Sequence, residues 1–381
     1  MTSLLLRPVT GPSRAVALAP CATRMVDAPA RIPEGWPKRL AVPMAWSGTQ
    51  FKDETEYILT LSELHVQELE EALQKFKALG LDGDCVSRDN FPLPTLQPLL
   101  DGVRQDVHQG KGFGVIRGLD PKKYSVEDLT VLYLGIQSYI ASGHGRQDRK
   151  GNMLVHIVAD NSSKLKAGHH RHSTSPITFH NEEAGDIVSW LTRNTAVSGG
   201  KCIIASTYTV YNVLAASRPD MIRILSRSDW PFALPRFQCR PVLFHHDGRV
   251  MMNFGRVALT GNAVHPRSSN LPTVTPRQME ALDAIENIAK ATQLEITTRP
   301  GDMHFINNLT VLHRREGFVN GEAASERRHL VRMRLRDSEL GWNLPMDLRR
   351  EWDDAFNKDA PKIWHIEPMP DGFFPLRSQA N

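Results

Sequence analysis

From Gly151 onward the chain is written in short apolar runs cut by turn residues, at positions 153–158, 177–179, 187–191, 202–205, 242–244 and 250–254. Runs of this length separated by turn signals suit the strands of a sandwich or jelly roll and are too short for most helices. Asp247-Gly248 between two of them is a strong hairpin signal, because both residues tolerate the left-handed backbone that a tight turn requires. The same texture returns at 294–298, 302–307 and 327–335. Two helices interrupt it, one around Tyr211 to Leu225 and one opened by Thr275 as N-cap and Pro276 in the first turn, running to about Ala291.

The N-terminal third is mixed. Leu64, Leu69, Leu73, Phe76 and Leu79 recur at helical spacing behind Ser62, with Gly80 as a stop. A second helix follows Thr95, Gly112-Phe-Gly-Val-Ile-Arg-Gly118 reads as a short strand between glycines, and Ser125 opens a third helix through Leu129, Leu132 and Ile136. Residues 1–35 read as a disordered or draped tail. Their arginines and lack of acid before Asp27 suit a mitochondrial transit peptide, but Pro8, Pro12 and Pro20 break up any amphipathic helix. The expected architecture is α+β with a mainly β core: a double-stranded β-helix (jelly roll, cupin-like) with flanking and inserted helices, one domain over residues 36–381.

Composition narrows the partners. With 46 basic and 42 acidic residues interspersed, the net charge of +4 leaves no footprint for a phosphate backbone, so nucleic acid is not expected. No apolar stretch approaches the about 20 residues of a membrane span. The mean hydropathy of −0.34 agrees, and no membrane association is expected. Cys21, Cys85, Cys202 and Cys239 lie far apart without a CxxC pair, which favours a reduced, cytoplasmic setting, with mitochondria as the alternative.

The 15 histidines are the compositional oddity. A histidine and a carboxylate two residues apart on a strand share one face and can hold one metal ion. Chance alone should yield roughly one or two such triplets in this composition, and the sequence has three. In His245-His246-Asp247 the acid belongs to the turn. His365-Ile366-Glu367 stands near the end with no later histidine to complete a site, which suits terminal packing. His180-Asn181-Glu182 follows the apolar run Ile177-Thr178-Phe179, where a charged residue needs a partner. A third ligand is available at His313. Two histidines and one carboxylate with open positions suit a non-haem Fe(II) oxygenase, and zinc accepts the same set.

Arg327 to Arg336 reads as a strand with Arg328, Leu330, Arg332, Arg334 and Arg336 on one face. A solvated basic edge strand is the plain reading. Arg328 and Arg332, which follow His313 by 15 and 19 residues, also offer forks that pair bidentately with carboxylates, as a diacid chelating a metal would need at its far end.

Taken in order, these motifs resemble the taurine dioxygenase and clavaminate synthase (TauD/TfdA) group of Fe(II)/2-oxoglutarate-dependent oxygenases, over roughly residues 110–345. Gly112-Phe-Gly-Val-Ile-Arg-Gly118, Phe179-His180-Asn-Glu182, the Gly199-Gly200 turn, Gly301-Asp302-Met-His-Phe-Ile-Asn-Asn308 leading to His313, and the arginine strand carry the resemblance. Tyr211-Asn212-Val-Leu-Ala-Ala and Arg218-Pro219-Asp220 are similar to a fungal branch of the group. The resemblance implies iron on His180, Glu182 and His313, the distal carboxylate of 2-oxoglutarate on Arg328, and an anionic substrate group on Arg332. Glu182 stands where most relatives have aspartate. Cys202 stands where a threonine or serine usually touches 2-oxoglutarate, and a thiol is the weaker donor.

The implied cofactors are Fe(II), 2-oxoglutarate and O2. The implied reaction oxidises an unactivated C–H of a small carboxylate-bearing substrate, by hydroxylation, desaturation or cyclisation, with release of succinate and CO2. An amino acid or an intermediate of specialised metabolism is the substrate class, and a homodimer is the assembly considered. The alternatives are a metal-dependent cupin-like hydrolase or isomerase, an iron oxygenase that does not use 2-oxoglutarate, and a metal-free scaffold. Elsewhere, His169, His170 and His172 read as a polar lid, His156 and Trp190 as core, and residues 143–148 as a polar loop lacking the Lys-Ser/Thr of a phosphate-binding loop.

Overall fold

A computed structural model describes residues 31–159, 173–262 and 265–367. Most of the expected tail, residues 1–30, and the histidine cluster at 169–172 lie outside the described residues. Two sheets dominate. The larger runs Ile58–Thr60, Phe113–Arg117, Met303–Asn307, Ile187–Asn194, His329–Arg336 and Gly143–Gly145, with Val155–Val158 also paired to His329–Arg336. The smaller runs Leu294–Ile296, Cys202–Ser206, Val311–Arg315 and Ile177–His180, all antiparallel.

Alternation along each strand sorts the side chains into three apolar layers. Val115, Val188, Ile306 and Leu330 of the larger sheet meet Ile204, Leu294, Ile296 and Val311 of the smaller one inside the sandwich. The opposite face of the larger sheet, with Ile116, Leu191, Phe305 and Met333, packs under helices Glu63–Ala78, Gln97–His108 and Val126–Ser138. Phe179, Ile203, Ala205 and Leu312 of the smaller sheet pack under Thr207–Ser217, Pro219–Leu225 and Pro276–Thr292. Each fully buried aliphatic or aromatic side chain contributes about 1.5–3 kcal/mol, so the two helix-covered layers hold the sandwich shut from outside. The fold is α+β with a mainly β core, as the run pattern indicates.

Local signals explain the boundaries. Ser62, Ser125 and Thr275 accept hydrogen bonds from His65, Asp128 and Gln278 as N-caps. Asp247 and Gly248 adopt φ of 48° and 71° in the turn between Leu243–His246 and Arg249–Met252.

Three features differ from the sequence reading. The helix expected around 211–225 is two helices, because Pro219 cannot continue the first; the residue before it, Arg218, leaves the helical region at φ −143°, ψ 62°. The polar loop at 143–148 contains an edge strand, Gly143–Gly145, where a Cβ on Gly145 would come 2.8 Å from the Phe356 ring. The arginine strand is no solvated edge. It is paired along both sides, and seven of its eight residues are buried.

Candidate metal centre and anion cavity

His180 closes the strand Ile177–His180 and stands directly opposite His313 on Val311–Arg315. The backbone leaves the sheet one residue later, which brings Glu182 round to the same point. The two imidazole centroids are 4.3 Å apart, and His180 Nε2 lies 3.9 Å from Glu182 Oε1. One ligand atom from each of the three residues falls within 4.8 Å of the others. Ligands each about 2.1 Å from a common ion lie at most about 4.2 Å from one another. A small side-chain rotation therefore closes this set on one metal ion. The nitrogen–nitrogen–carboxylate chemistry of the donors fits a divalent transition metal. His180 Nδ1 donates to the Thr178 carbonyl at 2.9 Å, which fixes the tautomer and turns the Nε2 lone pair toward the other donors.

The Glu182 backbone is clamped by two amides, Asn308 and Asn253, and Asn181 ties the strand ends beside it, contacts that the sequence reading did not single out. Asn308 Oδ1 accepts from the Glu182 N–H at 2.7 Å, while Asn308 Nδ2 donates to the carbonyls of Glu182 and Gly185, both at 3.0 Å. Asn253 Nδ2 donates to the Glu182 carbonyl at 3.2 Å. Asn181 Nδ2 donates to the carbonyls of Asn308 and Val311, and its Oδ1 accepts from Phe254 N–H. The only local signal for this clamp is three asparagines in otherwise apolar strand ends.

The sequence-predicted cations come to the same place from the facing sheet. Arg332 Nη1 donates to Glu182 Oε1, and its Nη2 donates to Gln147 Oε1 at 3.0 Å. Arg332 thus rests on the carboxylate of the triad, with Gln147 as a partner that the sequence reading missed. Arg334 Nη2 stands 3.4 Å from Glu183 Oε2 and 4.0 Å from Glu182 Oε2. Arg328 is different: it is partly buried and has no carboxylate within ion-pairing distance among the described residues. Desolvation pushes its pKa from 12.5 down to about 10. Cys202 sits beside it, and burial pushes that thiol up to about 12, so it stays neutral.

His180, Glu182, His313, Cys202, Arg328 and Arg332 line one partly open cavity. Its wall carries Lys201, Arg314, Arg315, Arg328 and Arg332 against a single carboxylate, Glu182. Trp190, expected in the core, also lines it, stacks on His304 at 4.9 Å and 14°, and reaches within 6.0 Å of the His313 ring. Complete burial pushes His304 down to about 4, so it is neutral.

The remaining histidines fall elsewhere. Asp247 accepts from Asn343 Nδ2 at 2.7 Å in its turn, and Glu367 pairs with Arg193 at 3.1 Å. His156 is buried, between His329 Nε2 at 2.9 Å and the His365 carbonyl at 2.6 Å. Among the described residues, His180, Glu182 and His313 are the one group of three that could close on a metal ion.

With this geometry in place, residues 58–334 match the taurine catabolism dioxygenase TauD, TfdA family. The chain belongs to that family. The TauD/TfdA chain is 35% identical over 340 residues to the taurine hydroxylase-like protein SAT17 of Stachybotrys chartarum, covering 86% of this chain and 88% of the relative. It is 24% identical over 320 residues to the FR-33289 synthase of Streptomyces rubellomurinus, covering 80% and 91%. Among solved structures it is similar to asparagine oxygenase in complex with Fe(II), 2S,3S-3-hydroxyasparagine and succinate. That match has a TM-score of 0.59 and 18% identity, covering 75% of this chain and 98% of that one. The non-haem iron oxygenase OrfP with Fe and alpha-ketoglutaric acid is similar at a TM-score of 0.55 and 15% identity, covering 73% and 93%. This TauD/TfdA member is a non-haem iron dioxygenase, an oxidoreductase that uses Fe(II), 2-oxoglutarate and O2. No helix among the described residues is long and apolar enough to cross a membrane.

Proposed function

We propose that this dioxygenase oxidises an unactivated C–H of a small carboxylate-bearing molecule, an amino acid or an acid intermediate of specialised metabolism. His180, Glu182 and His313 hold the iron, Arg328 receives the distal carboxylate of 2-oxoglutarate, and Arg332 meets the anionic end of the substrate. The observation that carries this reading is the cavity itself: a set of three metal donors in a wall where five cations face one acid. A diacid cosubstrate and an anionic substrate both require that balance, and a hydrolytic metal site does not.

The bound iron supplies activation of O2 coupled to decarboxylation of 2-oxoglutarate, chemistry that no side chain possesses. The protein residues do the rest. Asn308 and Asn253 fix the Glu182 backbone and Asn181 ties the strand ends beside it, so the carboxylate is presented from a fixed main chain. Arg332 and Gln147 hold the outer side of that carboxylate. The fork of Arg328 orients a linear diacid along the interior of the sandwich, and Trp190 with Leu330 and Ile157 keeps the adjoining wall apolar and excludes water.

The relatives support this class: a taurine hydroxylase-like protein and the FR-33289 synthase, with asparagine oxygenase sharing the fold. The test is to load the protein anaerobically with Fe(II), add 2-oxoglutarate and a panel of amino acids and related acids, admit O2 and measure succinate. Succinate that depends on one anionic substrate and disappears in Arg328→Ala is the expected result. Turnover that persists in Arg328→Ala without succinate would overturn it.

A further inference from the structure

Arg328 is shared between two cavities. Beyond it lies a smaller one, walled by Thr192, Asn194, Gly200, Thr297 and Thr298. Thr192 is on the strand Ile187–Asn194, on the same face as Trp190 and in register with Leu330, two residues from Arg328. Its backbone is fully engaged: the N–H donates to the Asp302 carbonyl at 2.9 Å, and its carbonyl accepts from Gly301 N–H at 2.8 Å. Its side chain is completely buried, and its hydroxyl has no hydrogen-bond partner among the described residues. Native interiors rarely keep such a group idle.

The neighbours make room beside it. Gly200, at φ 79°, leaves the flank of Arg328 open; a Cβ there would come 3.3 Å from Arg328 Cδ. The thiol of Cys202, held neutral by burial, is a weak donor to an anion. Of the neutral donors lining this space, Thr192 is the one that is completely buried with its hydroxyl unpartnered among the described residues, and it comes from the opposite sheet to Cys202.

We infer that Thr192 donates its hydroxyl to the carboxylate seated on Arg328, supplying from the larger sheet the hydroxyl that Cys202 does not provide from the smaller one. The ligand is the distal carboxylate of a five-carbon 2-oxo diacid. The inference rests on the reading of Arg328 as cosubstrate anchor.

Binding, not turnover, tests it. The full chain is loaded with Zn(II) and titrated calorimetrically with 2-oxoglutarate, and separately with pyruvate, which keeps the 2-oxo acid and lacks the distal carboxylate. Thr192→Val and Thr192→Ala should weaken 2-oxoglutarate about tenfold, the loss of one hydrogen bond to a charged group. Thr192→Ser should stay within about twofold of the parent, and pyruvate should bind all four proteins alike. Parent-like binding of 2-oxoglutarate by both Thr192→Val and Thr192→Ala, or equal weakening of both ligands, would overturn the assignment. Arg328→Met separates the two readings. If it loses 2-oxoglutarate while Thr192→Val does not, only the threonine role fails; if it binds 2-oxoglutarate like the parent, the anchor itself is wrong.

Discussion

Replacing Arg328 by methionine should make the ligand-free protein more stable and the liganded one less responsive. The guanidinium is desolvated without a carboxylate beside it, and the fall of its pKa from 12.5 to about 10 corresponds to roughly 3 kcal/mol of lost solvation, part of which water in the cavity returns. Apolar replacement of a buried ion pair is commonly neutral or stabilising by about 1–4 kcal/mol, and a guanidinium with no carboxylate beside it has less attraction to lose. For 381 residues the unfolding entropy is about 0.8 kcal/mol per degree, so a gain of 1–3 kcal/mol raises the midpoint by roughly 1–4 °C. The parent behaves in the opposite way once 2-oxoglutarate is added. At a concentration of about 100 times Kd the ligand stabilises it by about 2.7 kcal/mol, or roughly 3 °C. Two charge-assisted hydrogen bonds at about 1.5–3 kcal/mol each are absent from Arg328→Met, so its affinity falls by at least about a hundredfold and the shift vanishes. Scanning calorimetry of the Zn(II)-loaded proteins with and without 2-oxoglutarate reads both effects. A lower ligand-free midpoint in Arg328→Met would show that the guanidinium braces the fold. A ligand shift retained in the variant would show that the carboxylate sits elsewhere.

Three further outcomes follow from the site. Asn308→Ala removes three hydrogen bonds to the Glu182–Gly185 backbone and should cost about 3 kcal/mol in urea unfolding. In a chelator competition it should also lose about 10- to 100-fold in metal affinity, whereas unchanged affinity would deny the clamp its role. Acid should destabilise the fold. His144, His156 and His304 are pushed down from 6.5 to about 4 by burial, so their contribution is complete above pH 6.5 and is lost as the pH falls toward 4. Each costs about 2 kcal/mol by pH 5, against about 1 returned by Asp186, whose carboxyl burial raises to about 6; a flat urea midpoint between pH 7.5 and 5 would contradict this. Alkylation followed by mass spectrometry should modify exposed Cys85 and Cys239 and spare Cys202, which is buried with its thiol pushed up to about 12.

What the sequence could show is set by how local each signal is. His180 and Glu182 stand two residues apart at a strand end, and Ser62 or Thr275 opens its helix by bonding three residues ahead, so spacing alone reveals them. His313 lies far away in sequence and is legible through order and motif, because the cross-strand register that places it opposite His180 has no local trace. The same limit hides the Trp190–His304 stack, the Gln147 contact of Arg332 and the clamp by Asn181, Asn253 and Asn308, each of which joins distant strands. Reading the arginine strand as an edge failed for a related reason: composition records its charge but not the strands that flank it.

The connector after His180 gives that strand a further property. Glu182 meets Arg332, Glu183 lies 3.4 Å from Arg334 and Asp186 lies 3.9 Å from Arg336, so three successive rungs of a cationic ladder are each capped by an acid from one short loop. Alternate residues on an antiparallel strand are about 7 Å apart. Of the three rungs Arg332 alone lines the cavity, and the loop neutralises the next two outside it. Exchanging Glu183 or Asp186 for its amide would therefore take an acid from an arginine outside the cavity, while the lining and the histidines stay where they are.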